Sequence, residues 1–221
     1  MPELDPDGAP GPEDGSAAVD LDTLVERIAA AAAAPRGRRA LVAVVGAPAS
    51  GKSTLAATLA ARVPRSVVVP MDGFHLDNAL LDAAGTRAVK GAPHTFDAHG
   101  LGALLGRLRD GEPEVHVPLF DRRADLARAA AATVGPEHDT VLVEGNWLLL
   151  DREPWRALHT SFDLSVMLEI DEAVLRERLV ERWLAHGLGT DAALARAETN
   201  DLPNGRLVAG ASVPATLRLV P

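Results

Sequence analysis

The chain has 221 residues, the size of one large domain that can bury roughly 70% of the surface its unfolded form exposes, without covalent staples. It contains no cysteine, which excludes structural disulfides and thiolate metal sites and fits a cytoplasmic location. A net charge of −9 argues against a duplex-binding surface, so nucleic acid is not an expected partner and any anion must be gripped by local groups.

Residues 1–19 are rich in Pro, Gly, Asp and Glu and read as a disordered acidic tail. They lack the basic start and apolar stretch of a signal peptide, and no apolar run approaches the ~18 residues of a membrane span. Residues 20–221 read as a single domain. Asp20 or Asp22 can cap a helix through "LVERIAAAAAA", which Pro35 and Gly37 end. "ALVAVVG" (40–46) is a continuous apolar run, as in a parallel strand covered on both faces. "KSTLAATLAARV" reads as a helix with Leu55, Leu59 and Val63 on one stripe. "SVVVP" is the next strand, with "MDGF" at its carboxyl end. A short helix in "LDNALLDAAG" stops at Gly85, "TRAVKGAPHTFD" is a loop, and Asp97 caps a helix over "AHGLGALLGRLRDG".

"VHVPLF" is a strand weakened by Pro118, with His116 read as packed. "DTVLVEG" (139–145) is a buried strand ending on Glu144. A short helix and a strand from about 163 follow, with Trp147 and Trp155 as packing residues. "DEAVLRERLVERWLAH" is an amphipathic helix carrying Leu175, Leu179 and Trp183 at intervals of four. A last helix runs from about 190 to 199, then "NDLPNGRLV" and a terminal apolar segment. Strands alternating with helices predict an α/β fold with a mostly parallel sheet.

The loop between the first strand and its helix, Gly46-Ala47-Pro48-Ala49-Ser50-Gly51-Lys52-Ser53, is the full phosphate-loop pattern in its required context. Its glycines let backbone N–H groups converge on phosphate oxygens, and the following helix adds its dipole. Gly46, Ala47, Ser50, Gly51, Lys52, Ser53 and Thr54 are the expected nucleotide cradle. Lys52 reaches the β- and γ-phosphates and Ser53 ligates Mg²⁺. The chain is expected to bind a nucleoside triphosphate.

Ligands of open α/β sheets sit beyond the carboxyl ends of the strands. Asp72 and Glu144 both fall there, and glycine follows each. Phosphoryl transfer needs an acid near the metal and an acid that accepts the hydroxyl proton. Asp72 takes the base role and Glu144 the metal role, with Asp72 also counted beside the ion. Arg178 and Arg182 share a helix face and suit a phosphate-binding lid over about 171–199, whereas an ion pair with Glu172 accounts for Arg176. Arg122 and Arg123, after a strand end, would suit a carboxylate or an existing phosphate on the substrate. His75 and Phe96 are candidates for the substrate pocket.

Taken together, "GAPASGKST", "MDGF", "KGAPHTFD", "VPLFDR", "VLVEGNWLL", "VLRERLVERWL" and "NDLPNGRLV" resemble the phosphoribulokinase, uridine kinase and pantothenate kinase branch of P-loop kinases, from about residue 40 to near the end. The likeness extends to short bacterial proteins labelled nucleoside kinase-like or fructose-transport-associated kinases. The resemblance implies a P-loop NTPase fold, three-layer α/β/α with a helical lid, using ATP and Mg²⁺. It implies Asp72 as catalytic aspartate, Lys52 and Ser53 as phosphate and Mg²⁺ ligands, Glu144 as the acid after the later strand, Arg182 as a lid arginine on the transferring phosphates, and Asn200 as a substrate contact. It also implies a homodimer.

Pantothenate kinases of this type carry a histidine soon after "P-x-Y", where this chain has Pro118-Leu119-Phe120-Asp121-Arg122. Uridine kinases hold the base with tyrosine and histidine, and this chain has no tyrosine. The expected function is ATP-dependent phosphorylation of a small metabolite, with a nucleoside or sugar ahead of pantothenate. A nucleotide-binding regulator is the alternative, although the guanine-reading Asn-Lys-x-Asp is absent.

Overall fold

The computed structural model describes residues 17–33 and 38–220. Most of the expected tail, and Pro35 and Gly37, lie outside the described residues. Within them the chain runs through β1 (Ala17–Ala18), α1 (Leu21–Ala33), β2 (Ala40–Gly46), α2 (Lys52–Arg62), β3 (Ser66–Pro70), α3 (Asn78–Ala83), α4 (Ala98–Arg109), β4 (Val115–Asp121), β5 (Leu126–Val134), β6 (Thr140–Gly145), β7 (Leu164–Leu168), α5 (Glu172–Ala185), α6 (Thr190–Arg196), α7 (Leu202–Ala211) and β8 (Leu217–Leu219).

Six strands form one sheet in the order β1-β8-β7-β2-β6-β3, and every pairing in it is parallel. All seven residues of β2 are buried. Its alternating side chains feed two cores. Leu41, Ala43 and Val45 join Leu101, Leu105 and Leu108 of α4 and Val208 of α7 on one face. Val42 and Val44 join Leu24 and Ile28 of α1 and Leu55 and Leu59 of α2 on the other. This is the three-layer α/β/α fold. Each fully buried leucine contributes about 1.5–3 kcal/mol of transfer free energy, which explains why the uniform apolar strands sit at the centre. A third small cluster joins Leu175, Leu179 and Ala197 of the helical lid and Leu202 of α7 to Ala47 of the phosphate loop.

The caps follow the sequence. Asp20 Oδ1 accepts from Thr23 N, and Asp97 Oδ1 accepts from Gly100 N. Several details do not. Ala17–Ala18, expected in the tail, pair in parallel with Leu217–Arg218 at the sheet edge. β5 was not expected at all. It pairs antiparallel with β4 as a two-stranded ribbon whose register shifts between Val117 and Leu119, so Pro118 sits at an irregularity that needs no ladder donor. His116 is exposed rather than packed: Val115 and Val117 point inward, and the period of two turns His116 out toward Thr133 Oγ1. Residues 202–211 form α7, with Pro203 in its first turn, where the missing N–H costs nothing. Arg176 pairs with Glu198, while Glu172 pairs with Arg206.

Candidate active site

Strand register assembles the site. In the ladders of β6, Glu144 lies opposite Val44 of β2 on one side and Pro70 of β3 on the other. The phosphate loop therefore leaves β2, and Asp72 leaves β3, on either side of Glu144. Two strand spacings put about 9.5 Å between those exits.

Two glycines make this convergence sterically feasible. A Cβ on Gly145 would lie 2.5 Å from Cβ of Met71, so glycine lets the residue before Asp72 pack against the end of β6. A Cβ on Gly73 would lie 2.3 Å from the Pro118 carbonyl oxygen, so glycine lets the ribbon close onto the turn that carries Asp72. Apolar strand patterning located the acids; these close approaches account for the glycine that follows each.

The phosphate loop has Ala49 at φ 60° and Gly51 at φ 98°, a backbone that curls its amides inward before α2 begins at Lys52. Ser50 Oγ is buried there without a protein partner. Ser53 Oγ donates to Glu144 Oε1 at 3.2 Å. Thr54 is exposed on the first turn of α2, and Ala47 is buried beneath the lid cluster. Arg178 Nη1 donates to Ser50 O at 3.0 Å, so the lid helix braces the loop from outside the cleft.

The charges are interdependent. Burial pushes the Glu144 carboxyl above the usual carboxylate range, with Asp72 adding to the rise and Lys52 and the Ser53 hydrogen bond opposing it. Burial pulls the Lys52 ammonium below its ordinary value, opposed by Glu144 and Asp72 and aided by Arg182 and Arg122. Arg122 Nη2 donates to Asp72 Oδ2 at 2.7 Å.

Lys52, Asp72, His75, Phe96, Arg122 and Arg182 all line one cleft of about 530 Å³. His75 stacks on Phe96 at 4.0 Å and tilts against Phe120 at 4.7 Å. Burial pushes its pKa down to about 4, against the pull of Asp72, so the imidazole is neutral at pH 7. Asn200 is buried but does not line the cleft; its Nδ2 lies 3.5 Å from Lys90 O. Asp201 and Asn204 line it instead.

Sequence reasoning also missed Lys90, Trp183 and Arg196 on the cleft wall. Trp183 fitted a core stripe, yet its Nε1 donates to Asp201 Oδ2 at 2.6 Å, and the guanidinium groups of Arg182 and Arg196 lie 5.5 and 5.3 Å from its ring centre. Burial raises the Asp201 carboxyl; the Trp183 bond and the two arginines counter it. The available signal was the lone tryptophan among arginines at the end of a lid helix.

A crystal structure from Silicibacter sp. TM1040, of a protein provisionally described as a fructose transport system kinase, matches with a TM-score of 0.87 at 47% identity, covering 90% of this chain and 98% of that one. The provisionally named uridine kinase C227.14 of Schizosaccharomyces pombe (strain 972 / ATCC 24843) is 34% identical over 182 residues, 76% of this chain and 77% of that protein. The chain belongs to the P-loop kinase family that includes uridine kinase, phosphoribulokinase and pantothenate kinase. The uncharacterized protein YggC of Escherichia coli (strain K12) is 38% identical to this kinase over 174 residues, 76% of this chain and 71% of that protein. No protein-family model matches the chain. It is a P-loop kinase of small metabolites, and among its described residues no helix is long and apolar enough to cross a membrane.

Proposed function

We propose that this kinase transfers the γ-phosphoryl group of ATP to a hydroxyl of a nucleoside or sugar, with Asp72 as the general base. The observation that carries the reading is the single cleft holding the phosphate-loop Lys52, the lid Arg182 and the strand-end Asp72 together. The loop amides and Lys52 hold the β- and γ-phosphates, and Arg182 meets the charge that spreads over the phosphoryl oxygens. Asp72 accepts the acceptor's hydroxyl proton as the new O–P bond forms and the bond to the β-phosphate oxygen breaks, leaving ADP.

Ser53 and Glu144, hydroxyl and carboxylate 3.2 Å apart, are hard oxygen donors of the kind Mg²⁺ takes, and they would hold it directly or through water. Bound there, Mg²⁺ neutralises phosphate charge. From the lid formed by α5 and α6, Arg182 and Arg196 reach the cleft wall.

A coupled ADP-release screen across nucleosides, sugars and pantothenate tests the reading. Asp72→Asn is expected to lower turnover by about 10²–10⁴-fold with ATP affinity retained. Near-wild-type turnover in that variant removes Asp72 from the base role. Nucleotide hydrolysis unchanged by every metabolite would favour a regulator instead.

A further inference from the structure

Donor accounting on the acceptor side of the cleft singles out one side chain. Lys90 donates to Asn78 Oδ1 at 2.7 Å, Asp125 Oδ1 at 2.8 Å and Asp125 O at 3.0 Å, which occupies all three of its protons. Arg87 is engaged with Asp82 and Asp125. Arg196 Nη1 donates to Ala88 O at 2.7 Å and its guanidinium stacks on Trp183. Lys52 and Arg182 face the nucleotide's phosphates in the proposed reaction. Arg122 differs from all of these. Among the described residues its side chain makes one hydrogen bond, Nη2 to Asp72 Oδ2, and it is 57% exposed at the cleft. A guanidinium carries about five N–H donors, so most of the Arg122 fork is not committed to protein atoms.

The placement matters as much as the capacity. Arg122 occupies one oxygen of Asp72, and Oδ1 is the oxygen without a side-chain hydrogen bond. Asp72 and Arg122 line the same cleft, so a hydroxyl that meets the carboxylate lies within a few bonds' reach of the guanidinium. The wider field agrees. In a chain of net charge −9, the cleft gathers Lys52, Arg87, Lys90, Arg122, Arg182 and Arg196 against Asp72, Asp125 and Asp201. His75 adds no positive charge at neutral pH.

We infer that the acceptor carries an anionic group, a carboxylate or a phosphate, within a few bonds of the hydroxyl that is phosphorylated, and that Arg122 binds it with the donors Asp72 leaves free. This rests on the kinase reading with Asp72 as base, and it narrows the acceptor class from neutral sugars and nucleosides to sugar acids or phosphorylated sugars. Arginine suits the task because its planar fork takes a carboxylate or phosphate through two parallel bonds, which lysine cannot do.

The experiment is coupled ADP release from the full-length chain on matched sets: a panel of sugars, the corresponding sugar acids and the corresponding sugar phosphates. Wild type is expected to favour one anionic arm over its neutral counterpart in kcat/KM by about 10–100-fold, the range of a charge-assisted hydrogen-bonded contact. Arg122→Met should remove most of that preference through KM, and Arg122→Lys should restore part of it. The arm that is preferred, acid or phosphate, identifies the source of the anion. Equal or better use of the neutral sugars, with Arg122→Met lowering turnover equally on all arms, overturns the inference and leaves the kinase reading in place, with Arg122 serving only to hold Asp72. ADP release that no member of any arm raises above the acceptor-free blank overturns both. Melting temperatures of the two variants, expected near wild type for so exposed a side chain, separate loss of recognition from loss of fold.

Discussion

Gly73→Ala tests whether the ribbon is held against the turn that carries Asp72 by a missing side chain. The added Cβ would sit 2.3 Å from the Pro118 oxygen and 2.7 Å from its carbonyl carbon, both backbone atoms of a strand that cannot rotate away as a side chain could. Ordinary contact begins near 3.4 Å, so ribbon and turn must part by about 1 Å. Overpacking of this kind costs about 1–3 kcal/mol. For a domain of this length that is a fall of roughly 2–12 °C in melting temperature. The functional cost is larger. Parting the two segments moves Asp72 relative to Arg122 and to the phosphate loop, and with Asp72 as the proposed base a misplacement of about 1 Å can cost about 10²-fold in rate. Thermal unfolding and steady-state ADP release on the same preparation read both effects. Gly106→Ala is the control: its Cβ meets nothing within 4 Å, and in the interior of α4 the change should stabilise by about 0.5–1 kcal/mol. A Gly73→Ala protein that melts within a degree of wild type and turns over at the wild-type rate refutes the close-approach argument.

Two further outcomes are expected. His75 has its folded pKa lowered to about 4 from an ordinary 6.5, so protonation favours the unfolded chain. Stability should be intact above pH 6.5 and fall as pH drops toward 4, by up to about 2 kcal/mol at pH 5. His75→Phe, which keeps the stack on Phe96, should flatten that part of the melting-temperature profile, and an unchanged acid loss would show that another group is responsible. Arg178→Met removes the bond to Ser50 O and should weaken ATP affinity by about 10-fold or more in a calorimetric titration; wild-type affinity would mean the loop holds its shape without the lid.

The legible parts of the molecule share a physical cause. β2 and the Val141–Val143 stretch of β6 are apolar because both their faces are covered, and each run stops at the carboxyl end of its strand, so Gly46 and Glu144 stand out. Asp72 follows β3 for the same reason. β5 was invisible because "LARAAAATV" is mostly alanine, a residue with little preference for strands, and its pairing with β4 is decided by tertiary contact. α7, in the stretch "NDLPNGRLV" that follows the expected last helix, was not read as a helix; Pro203 is compatible with one only in its first turn, and where that turn begins is set by packing. Asn200, the expected substrate contact, is buried and lies off the cleft that Asp201 and Asn204 line. Residues Ala197–Asp201 form a π-turn, which widens the helical repeat, so a period of 3.6 read from the sequence does not say which of its side chains reaches the cleft. The Arg122–Asp72 pair joins residues fifty positions apart, and nothing local announces it.

The two glycines beside the acids carry a lesson for anyone moving this chemistry to another scaffold. Copying Asp72, Glu144 and Lys52 onto a new sheet would transplant the proposed reactive groups without the absent methyls that let their supporting segments touch. A graft would have to reproduce those bare points of backbone first, since the approach of the segments that carry Asp72 and Glu144 is set there and not by the carboxylates themselves.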